Sequence, residues 1–190
     1  MNNCLLQIVI GSTRPGRAGS AVATWVRNLA IAHGGFAVEL VDLADVDLPL
    51  LDEPNHPRAG RYTHAHTIRW SETVQRADAF IFVVPEYNHG YNAATKNALD
   101  FLCKEWHGKP IGFVGYGGAA AGARAIHSLI PVVSSLGMLP AARSVNIPII
   151  ARALGDDGTL TTNPRLDRSA DDLLDELAAH LFADRSEAAV

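Results

Sequence analysis

The fold is decided near the N-terminus by residues 5–20, LLQIVIGSTRPGRAGS. The apolar run 5–10 is typical of a buried strand, and residues 21–29 continue in the pattern of a helix. The turn between them is rich in glycine and hydroxyl groups. Backbone N–H groups at the start of a helix attract anions, and the helix dipole adds to that attraction. The segment therefore predicts an anion site, with an ordinary strand-to-helix turn and solvated arginines as the alternative.

Apolar runs alternate with helical patterns along the whole chain. The expected strands are residues 5–10, 37–43, 79–85, 111–115 and 142–147, and the expected helices are residues 19–33, 63–77, 93–104, 121–136 and 164–182. Five strands separated by helices predict an α/β fold, in which a parallel sheet carries helices on both faces. The last helix is expected to start with Asn163 as its N-cap and Pro164 at its first position.

Two segments fit this pattern poorly. Pro131 lies inside the fourth helical pattern, where proline is expected to kink or interrupt a helix. Residues 48–62 contain Pro49, Pro54 and Pro57 and predict a long irregular loop. Loops of that length in compact domains are often functional, and a plain surface excursion is the alternative.

Composition limits the class of protein. The 190 residues, 48% of them hydrophobic, are enough for one domain with a sizeable core. We expect that domain to span residues 1–183, with residues 184–190 as a flexible tail. A net charge of −4 and a pI near 6.0 argue against nucleic-acid binding.

Cysteine spacing and hydropathy limit the location. The two cysteines lack zinc-site spacing, and residues 1–10 lack the pattern of a secretory signal. No apolar run reaches the roughly 18 residues that a membrane span needs. These observations favour a cytoplasmic protein with no metal and no membrane contact. His56, His64 and His66 cluster in the sequence, but the i, i+2 spacing of the last two does not favour a metal site on a helix.

The residues of the first turn limit which kind of phosphate ligand it can be expected to bind. A triphosphate loop of the type GxxxxGK[ST] requires lysine and a hydroxyl where this chain has Arg17 and Ala18. A dinucleotide loop of the type GxGxxG requires glycine where it has Thr13. The remaining interpretation is a terminal monophosphate bound without metal, as in flavin mononucleotide (FMN). The groups that the turn supplies for it are Ser12, Thr13, Arg14, Arg17 and Ser20.

Two more unusual loops are expected at the same edge of the sheet. Residues 85–92 (PEYNHGYN) follow the third strand, and residues 115–122 (GYGGAAAG) follow the fourth. In the strand order 2-1-3-4-5, strands one, three and four are neighbours, and ligands bind beyond their carboxyl ends. Tyr87 and Tyr116 offer ring surface or hydroxyls to a flat flavin ring, and Asn88 offers a donor and an acceptor. Asn92 is expected to cap the next helix.

With these residues, the chain resembles the NAD(P)H-dependent FMN reductase family of flavodoxin-like proteins, which includes quinone, azo and chromate reductases. The resemblance covers residues 5–137 and is strongest at 11–14 (GSTR) and 85–88 (PEYN), the latter continued by 96–100 (KNALD). It implies a flavodoxin-like five-stranded sheet of order 2-1-3-4-5. Many members have glycine and serine where this chain has His89 and Gly90, and proline in place of Asn92.

The resemblance also implies which residues bind the cofactor. The FMN phosphate is expected at Ser12, Thr13, Arg14, Arg17, Gly19 and Ser20, the ribityl chain and ring at Pro85, Glu86, Tyr87 and Asn88, and the pyrimidine edge at Gly115, Tyr116, Gly117 and Gly118. Related proteins complete the flavin site with subunit contacts, which implies a homodimer or homotetramer. The candidate interface lies near Phe101, Leu102 and Trp106.

The expected activity is hydride transfer from NADPH or NADH to FMN and on to a flavin, quinone, azo compound or metal oxyanion. The cofactor supplies the chemistry, so no catalytic side chain is required. The backbone amides of Gly117 and Gly118 are expected to stabilise negative charge near N1 and O2 of the flavin, and His89 is a candidate proton donor. The alternatives are a non-enzymatic flavodoxin-like electron carrier and a regulatory module that has lost the cofactor.

The turn leaves open how its two arginines share the charge of their ligand. One hypothesis is that either Arg14 or Arg17 binds FMN while the other meets the phosphate of NADPH.

Overall fold

The sheet of this computed structural model, which describes residues 4–187, has the predicted topology. Its strands are β1 Cys4–Ile10, β2 Phe36–Asp42, β3 Ala79–Pro85, β4 Pro110–Tyr116 and β5 Leu139–Ile147. All of them are parallel, in the order β2-β1-β3-β4-β5. Every residue of β3 and β4 is buried, as expected for strands that are covered on both faces. The predicted flavodoxin-like sheet is confirmed.

Helices cover both faces of this sheet. They are α1 Gly19–His33, α2 Leu43–Val46, α3 Ala65–Arg76, α4 Ala93–Asp100, α5 Ala123–Ser135, α6 Ile150–Ala153 and α7 Pro164–Glu187, with a 3-10 turn at Pro57–Ala59. Val22 of α1 and Leu177 of α7 belong to the core on one face. Trp70 of α3, Leu99 of α4 and Leu129 of α5 belong to the core on the other. None of the helices within residues 4–187 combines the length and the apolar character that crossing a membrane requires.

The proline inside α5 does not end that helix. α5 continues through Pro131 to Ser135, so of the two predicted effects, a kink or an interruption, the interruption is wrong. Proline removes one backbone hydrogen bond. The buried side chains of Leu129 and Val133, on either side of it, fix the helix against the sheet and offset that loss.

The segment after α4 belongs to the core and not to an exposed surface. α4 ends at Asp100 rather than at residue 104. Phe101, Leu102 and Trp106 are at most 1% exposed, and the Trp106 indole N–H donates to the carbonyl of Leu99 at 3.2 Å. The prediction of a subunit interface near these three residues is therefore wrong, since the protein's own core already covers them.

Several boundaries differ from the sequence prediction. α2 was not predicted, and β5 begins at Leu139, beyond an irregularity in its pairing with β4 between Ile111 and Phe113. The N-cap of α7 is confirmed, because the side-chain oxygen of Asn163 accepts from the backbone N–H groups of Arg165 and Leu166 at 3.0 and 3.1 Å. α7 continues to Glu187, and residues 188–190 of the predicted tail lie outside the described residues.

The loop 48–62 is fastened to the start of α3. The carboxylate of Glu53 accepts from the N–H groups of Thr63 and His64 at 2.9 and 3.0 Å. Burial raises the pKa of Glu53, but these hydrogen bonds, led by that of His64, lower it to a net value of about 2. His66 bonds to Asp52 at 2.9 Å and stacks on His64. The histidines therefore anchor the loop, and the described residues contain no group of three metal-ligating side chains.

Candidate functional site

The three unusual loops meet at the carboxyl edge of the sheet. They are residues 11–18 after β1, 86–92 after β3 and 117–122 after β4. The hydroxyl groups of Ser12 and Tyr87 are 3.0 Å apart and join the first two loops. The N–H of Glu86 donates to the carbonyl of Tyr116 at 2.9 Å and joins the second to the third. The sequence-based expectation that these loops share one edge is confirmed.

The start of α1 offers open backbone donors. Ala18 stands at the N-cap without a capping hydrogen bond, and the first turn contains no acidic side chain. The N–H groups of Thr13, Gly19 and Ser20 have no partner within the described residues. Helix N-termini normally satisfy such groups with a cap, water or a ligand. The arrangement fits an anion, as the sequence predicts.

Close packing under this turn requires its glycines. A Cβ at position 11 would collide with the hydroxyl of Thr95 and lie 3.1 Å from the carbonyl of Val83. A Cβ at position 19 would lie 3.0 Å from the Tyr116 hydroxyl. Glycine at position 11 thus lets the end of β1 approach β3 and α4, and glycine at position 19 lets the start of α1 approach the ends of β1 and β4.

Asn92 stands at the predicted N-cap position of α4 and connects this helix to the first turn. Its side-chain amide donates to the carbonyl of Gly11 at 2.6 Å, and its oxygen accepts from the Thr95 hydroxyl at 2.8 Å. The side chain makes no bond to the helix backbone, so the expected side-chain cap is wrong although the position is right. The reason is that Asn92 is buried, and the nearby carbonyl of Gly11 needs a donor.

The two arginines of the turn have different surroundings. Arg17 forms an ion pair with Asp42 at the end of β2, with the two side chains only 20% and 16% exposed. Its Nε is buried and lacks a partner in the described part of the chain. Arg14 is exposed and forms no ion pair among residues 4–187. Arg14 therefore supplies the net positive charge, while Arg17 supplies an oriented donor.

Tyr116 lies beneath the turn and does not present a ring face. It is 5% exposed, so of the two predicted alternatives, ring surface or hydroxyl, the ring surface is wrong. Its hydroxyl is buried without a hydrogen-bond partner among the residues described. Burial raises the pKa of Tyr116, and this effect outweighs the lowering by the nearby Ser12 hydroxyl and by the arginine charges. The resulting pKa is about 12. The phenol is therefore a neutral donor next to the uncapped start of α1.

The loop after β3 is a tight hairpin turn. Tyr87 and Gly90 exchange two backbone hydrogen bonds, of 2.9 and 3.0 Å. Between them, Asn88 and His89 have φ angles of 49° and 70°. Positive φ at both central positions is typical of a type I′ turn, which asparagine tolerates better than histidine does. The turn leaves the ring of Tyr87 41% exposed at the edge of the site.

Glu86 supports the third loop with its side chain. Its carboxylate is 6% exposed and pairs with the guanidinium of Arg124. It also accepts from the Arg124 backbone N–H at 3.3 Å, at the start of α5. These bonds hold the backbone of Glu86 at the site, while its carboxylate is occupied by Arg124 of α5. Sequence reasoning had not identified Arg124, since no motif marks it.

Only one of the two predicted amide donors in the third loop is free. The N–H of Gly117 donates to the carbonyl of Ile147 at 3.3 Å, so its predicted role as a flavin donor is wrong. The N–H of Gly118 has no partner in the part of the chain described here, and a Cβ there would meet nothing within 4 Å. The loop therefore presents the Gly118 amide to open space.

The remaining predicted residues shape the edge or lie on the surface. Pro85 and Gly115 are buried ends of strands, and a Cβ on Gly115 would lie 2.8 Å from Ile126. His89 is exposed. Lys96 pairs with Asp100 at 2.5 Å on the surface of α4, where both side chains are 40% exposed.

A small cavity beside Thr13 was missed by the sequence analysis. It has a volume of about 240 Å³ and lies between the turn, α2 and α4, with Leu43, Leu48 and Asn97 in its wall. Its outer rim is the loop 48–62, because Asn97 bonds to the backbone of that loop at 2.6 and 3.0 Å. No sequence signal marked this cavity, since it depends on the unpredicted helix α2.

Comparison with known proteins agrees with this geometry. Residues 5–151 match the family described as NADPH-dependent FMN reductase. The chain belongs to this family. It is 44% identical over 117 residues to an NAD(P)H-dependent FMN reductase of Schizosaccharomyces pombe, covering 60% of this chain and 58% of that protein. An NAD(P)H-dependent FMN reductase of Saccharomyces cerevisiae is 31% identical over 192 residues, covering 95% and 98%.

Other relatives extend the comparison. A quinone reductase of Pseudomonas putida is 32% identical over 128 residues, which are 64% of this chain and 65% of that protein. The chain thus spans less than two thirds of several matched relatives and nearly all of the S. cerevisiae protein. FerB, a flavoenzyme NAD(P)H:(acceptor) oxidoreductase from Paracoccus denitrificans, superposes with a TM-score of 0.75 at 22% identity, covering 93% and 98% of the chains. That likeness supports the fold.

Proposed function

We propose that this protein is an FMN-dependent NAD(P)H oxidoreductase that passes hydride from NADPH or NADH to a flavin, quinone, azo compound or metal oxyanion. The observation that carries the proposal is the uncapped start of α1 with its unpartnered donors, at the same edge of the sheet as the loop that carries the open amide of Gly118. Family membership supports the same conclusion.

The phosphate end of the site would be held by three kinds of donor. The N–H groups of Gly19 and Ser20, which have no partner among the described residues, would donate to the phosphate oxygens. The buried Tyr116 hydroxyl and the Arg17 Nε have no partner among the described residues and would be two further donors. The first is neutral, and the second belongs to a guanidinium whose charge is balanced by Asp42. Arg14 supplies the net charge that offsets the dianion. A buried donor without a partner is costly in a folded protein, and a phosphate oxygen that accepted from the Tyr116 hydroxyl or the Arg17 Nε would remove that cost.

The ring end would be held by the loops after β3 and β4. FMN supplies the hydride-accepting centre when bound. The Gly118 N–H is a fixed donor for negative charge at the pyrimidine edge, and a preorganised amide of this kind needs no reorganisation. Tyr87 is fixed by its hydroxyl contact with Ser12 and offers its exposed ring as a wall. His89 remains the candidate proton donor for a reduced quinone.

Anaerobic mixing tests the proposal. The protein is incubated with FMN, separated from free FMN, and mixed with NADPH or NADH while the absorbance of the bound flavin is followed. Rapid bleaching supports the oxidoreductase. Binding without bleaching would replace it with a flavodoxin-like electron carrier, and absence of FMN binding would contradict both.

The assembly and the location of the protein stay predictions. We propose a homodimer or homotetramer, which light scattering of the FMN-loaded protein tests, and a monomer would contradict it. We also propose a cytoplasmic location, which the free thiols of Cys4 and Cys103 support.

A further inference from the structure

A second cavity lies on the β5 side of the glycine-rich loop. Its volume is about 520 Å³, within the usual range for small-molecule sites. Ala121 of that loop forms one wall, Ser144 and Asn146 at the end of β5 form another, and Asn163 and Arg165 at the start of α7 close it. The Asn146 amide donates to the Ala121 carbonyl at 3.3 Å and ties the first two walls together.

This cavity has a positive character. No carboxylate lines it. Arg165 is exposed and makes no ion pair among the residues described, whereas Arg17, Arg124 and Arg143 are each paired with a carboxylate. A free guanidinium in a concave polar site is suited to a phosphate, to which it bonds in a bidentate manner.

Asn163 adds a second donor to the same site. Its side-chain oxygen is committed to the backbone of α7, where it accepts from the N–H groups of Arg165 and Leu166. The amide NH₂ of the same side chain has no hydrogen-bond partner within residues 4–187, and it belongs to a residue of the cavity wall. The two capping bonds fix the orientation of the amide plane, so this donor is preorganised.

We propose that this cavity binds the 2′-phosphate of NADPH through Arg165 and Asn163, and that the protein therefore prefers NADPH to NADH. The inference rests on the proposed function and specifies its donor substrate. NADPH differs from NADH by one phosphate monoester. The site lies next to the loop that presents Gly118, on the side away from the turn that would hold the FMN phosphate. Arg14 and Arg17 belong to that turn, so neither is assigned to NADPH.

Calorimetric titration of the FMN-saturated protein is the first test. Adenosine 2′,5′-bisphosphate is expected to bind about 10- to 100-fold more tightly than adenosine 5′-monophosphate, the gain from charge-assisted hydrogen bonds to one phosphate. Arg165→Ala is expected to abolish this difference, and Arg165→Lys to retain part of it. Arg168→Ala is the matched control, because Arg168 is exposed on the same helix outside the cavity. Equal affinity of the wild-type protein for the two nucleotides would overturn the proposal.

Steady-state rates are the second test. Arg165→Ala is expected to raise KM for NADPH about 10-fold or more, with kcat and the KM for NADH unchanged. A change confined to KM for an anionic acceptor, with anthraquinone-2-sulfonate as the probe, would assign the cavity to the acceptor and refute our assignment. Absence of bleaching by either nucleotide refutes the proposed function instead, while the titration still decides the phosphate site.

Discussion

Substitutions of Arg17, Asp42 and Arg14 test which of these residues supplies the positive charge of the proposed phosphate site. Arg17→Ala leaves the Asp42 carboxylate, 16% exposed, without its counter-ion beside the turn proposed to hold the phosphate. The double variant Arg17→Ala/Asp42→Asn removes both charges and keeps a side-chain oxygen that can accept from the Ala44 N–H, to which Asp42 bonds at 3.0 Å. Arg14→Ala removes the free cation. Arg27→Ala is the matched control, because Arg27 is exposed on α1 outside the turn.

The expected magnitudes follow from these surroundings. Arg14 is exposed, so its loss is expected to cost about 1.5 kcal/mol of FMN binding, the lower end for a hydrogen bond to a charged group, or about 10-fold in Kd. Arg17→Ala loses a donor and adds repulsion from Asp42, which for two unit charges about 4 Å apart is about 1 kcal/mol in water and about 4 kcal/mol at the effective dielectric near a protein surface. It should therefore weaken binding more than Arg14→Ala does. The double variant should recover most of that loss, because the repelling charge is also gone.

Quenching of FMN fluorescence on binding measures each Kd at low and high salt. The effect of Arg14→Ala should shrink as salt rises, because exposed charges are screened. A double variant as weak as Arg17→Ala would refute the argument that Arg17 and Asp42 neutralise each other. An Arg14→Ala protein with wild-type affinity would refute the assignment of the phosphate to this turn.

Three further substitutions test other parts of the structure. Tyr116→Phe removes a buried hydroxyl that has no partner among the described residues. It should therefore stabilise the FMN-free protein by about 1 kcal/mol, measured by denaturant unfolding, and weaken FMN binding. A loss of stability in the FMN-free protein would contradict this. His89→Gly relieves a φ of 70° and should raise the unfolding temperature by about 2–4 °C, and a fall would show that histidine stabilises the turn. Glu53 stabilises the fold fully above pH 4.5, its ordinary pKa, and this contribution is lost as pH falls towards about 2, where its folded-state pKa lies. Glu53→Gln should therefore flatten the acid side of the stability profile, and an unchanged profile would contradict the role of this carboxylate.

Much of the fold was predictable because its signals are local. The apolar runs that become β1, β3 and β4 are short and bounded by turns, as buried parallel strands are. The glycine-rich loops follow those strands directly, and parallel order alone brings them to one edge. α2 escaped prediction because four residues are too few to show helical periodicity.

The chemical state of the site was less predictable, because it depends on contacts between distant residues. Arg17 and Asp42 are separated by 25 positions, and Asn92 and Gly11 by 81. No pattern in the sequence indicates that Arg17 would be neutralised while Arg14 stays free. Nor does any pattern indicate that the Gly117 amide would be used by Ile147 and the Gly118 amide left open.

The parallel sheet, the family and the position of the turn that we propose holds the phosphate could all be read from the amino-acid sequence. These depend on the order of apolar runs and on glycine and hydroxyl residues that lie close together in the chain. The tertiary structure is needed to tell which donors remain free for a ligand, since a charge or an N–H group is available only when no distant residue already satisfies it. It also decided that Trp106 belongs to the core and that Arg165 faces a cavity beside the glycine-rich loop.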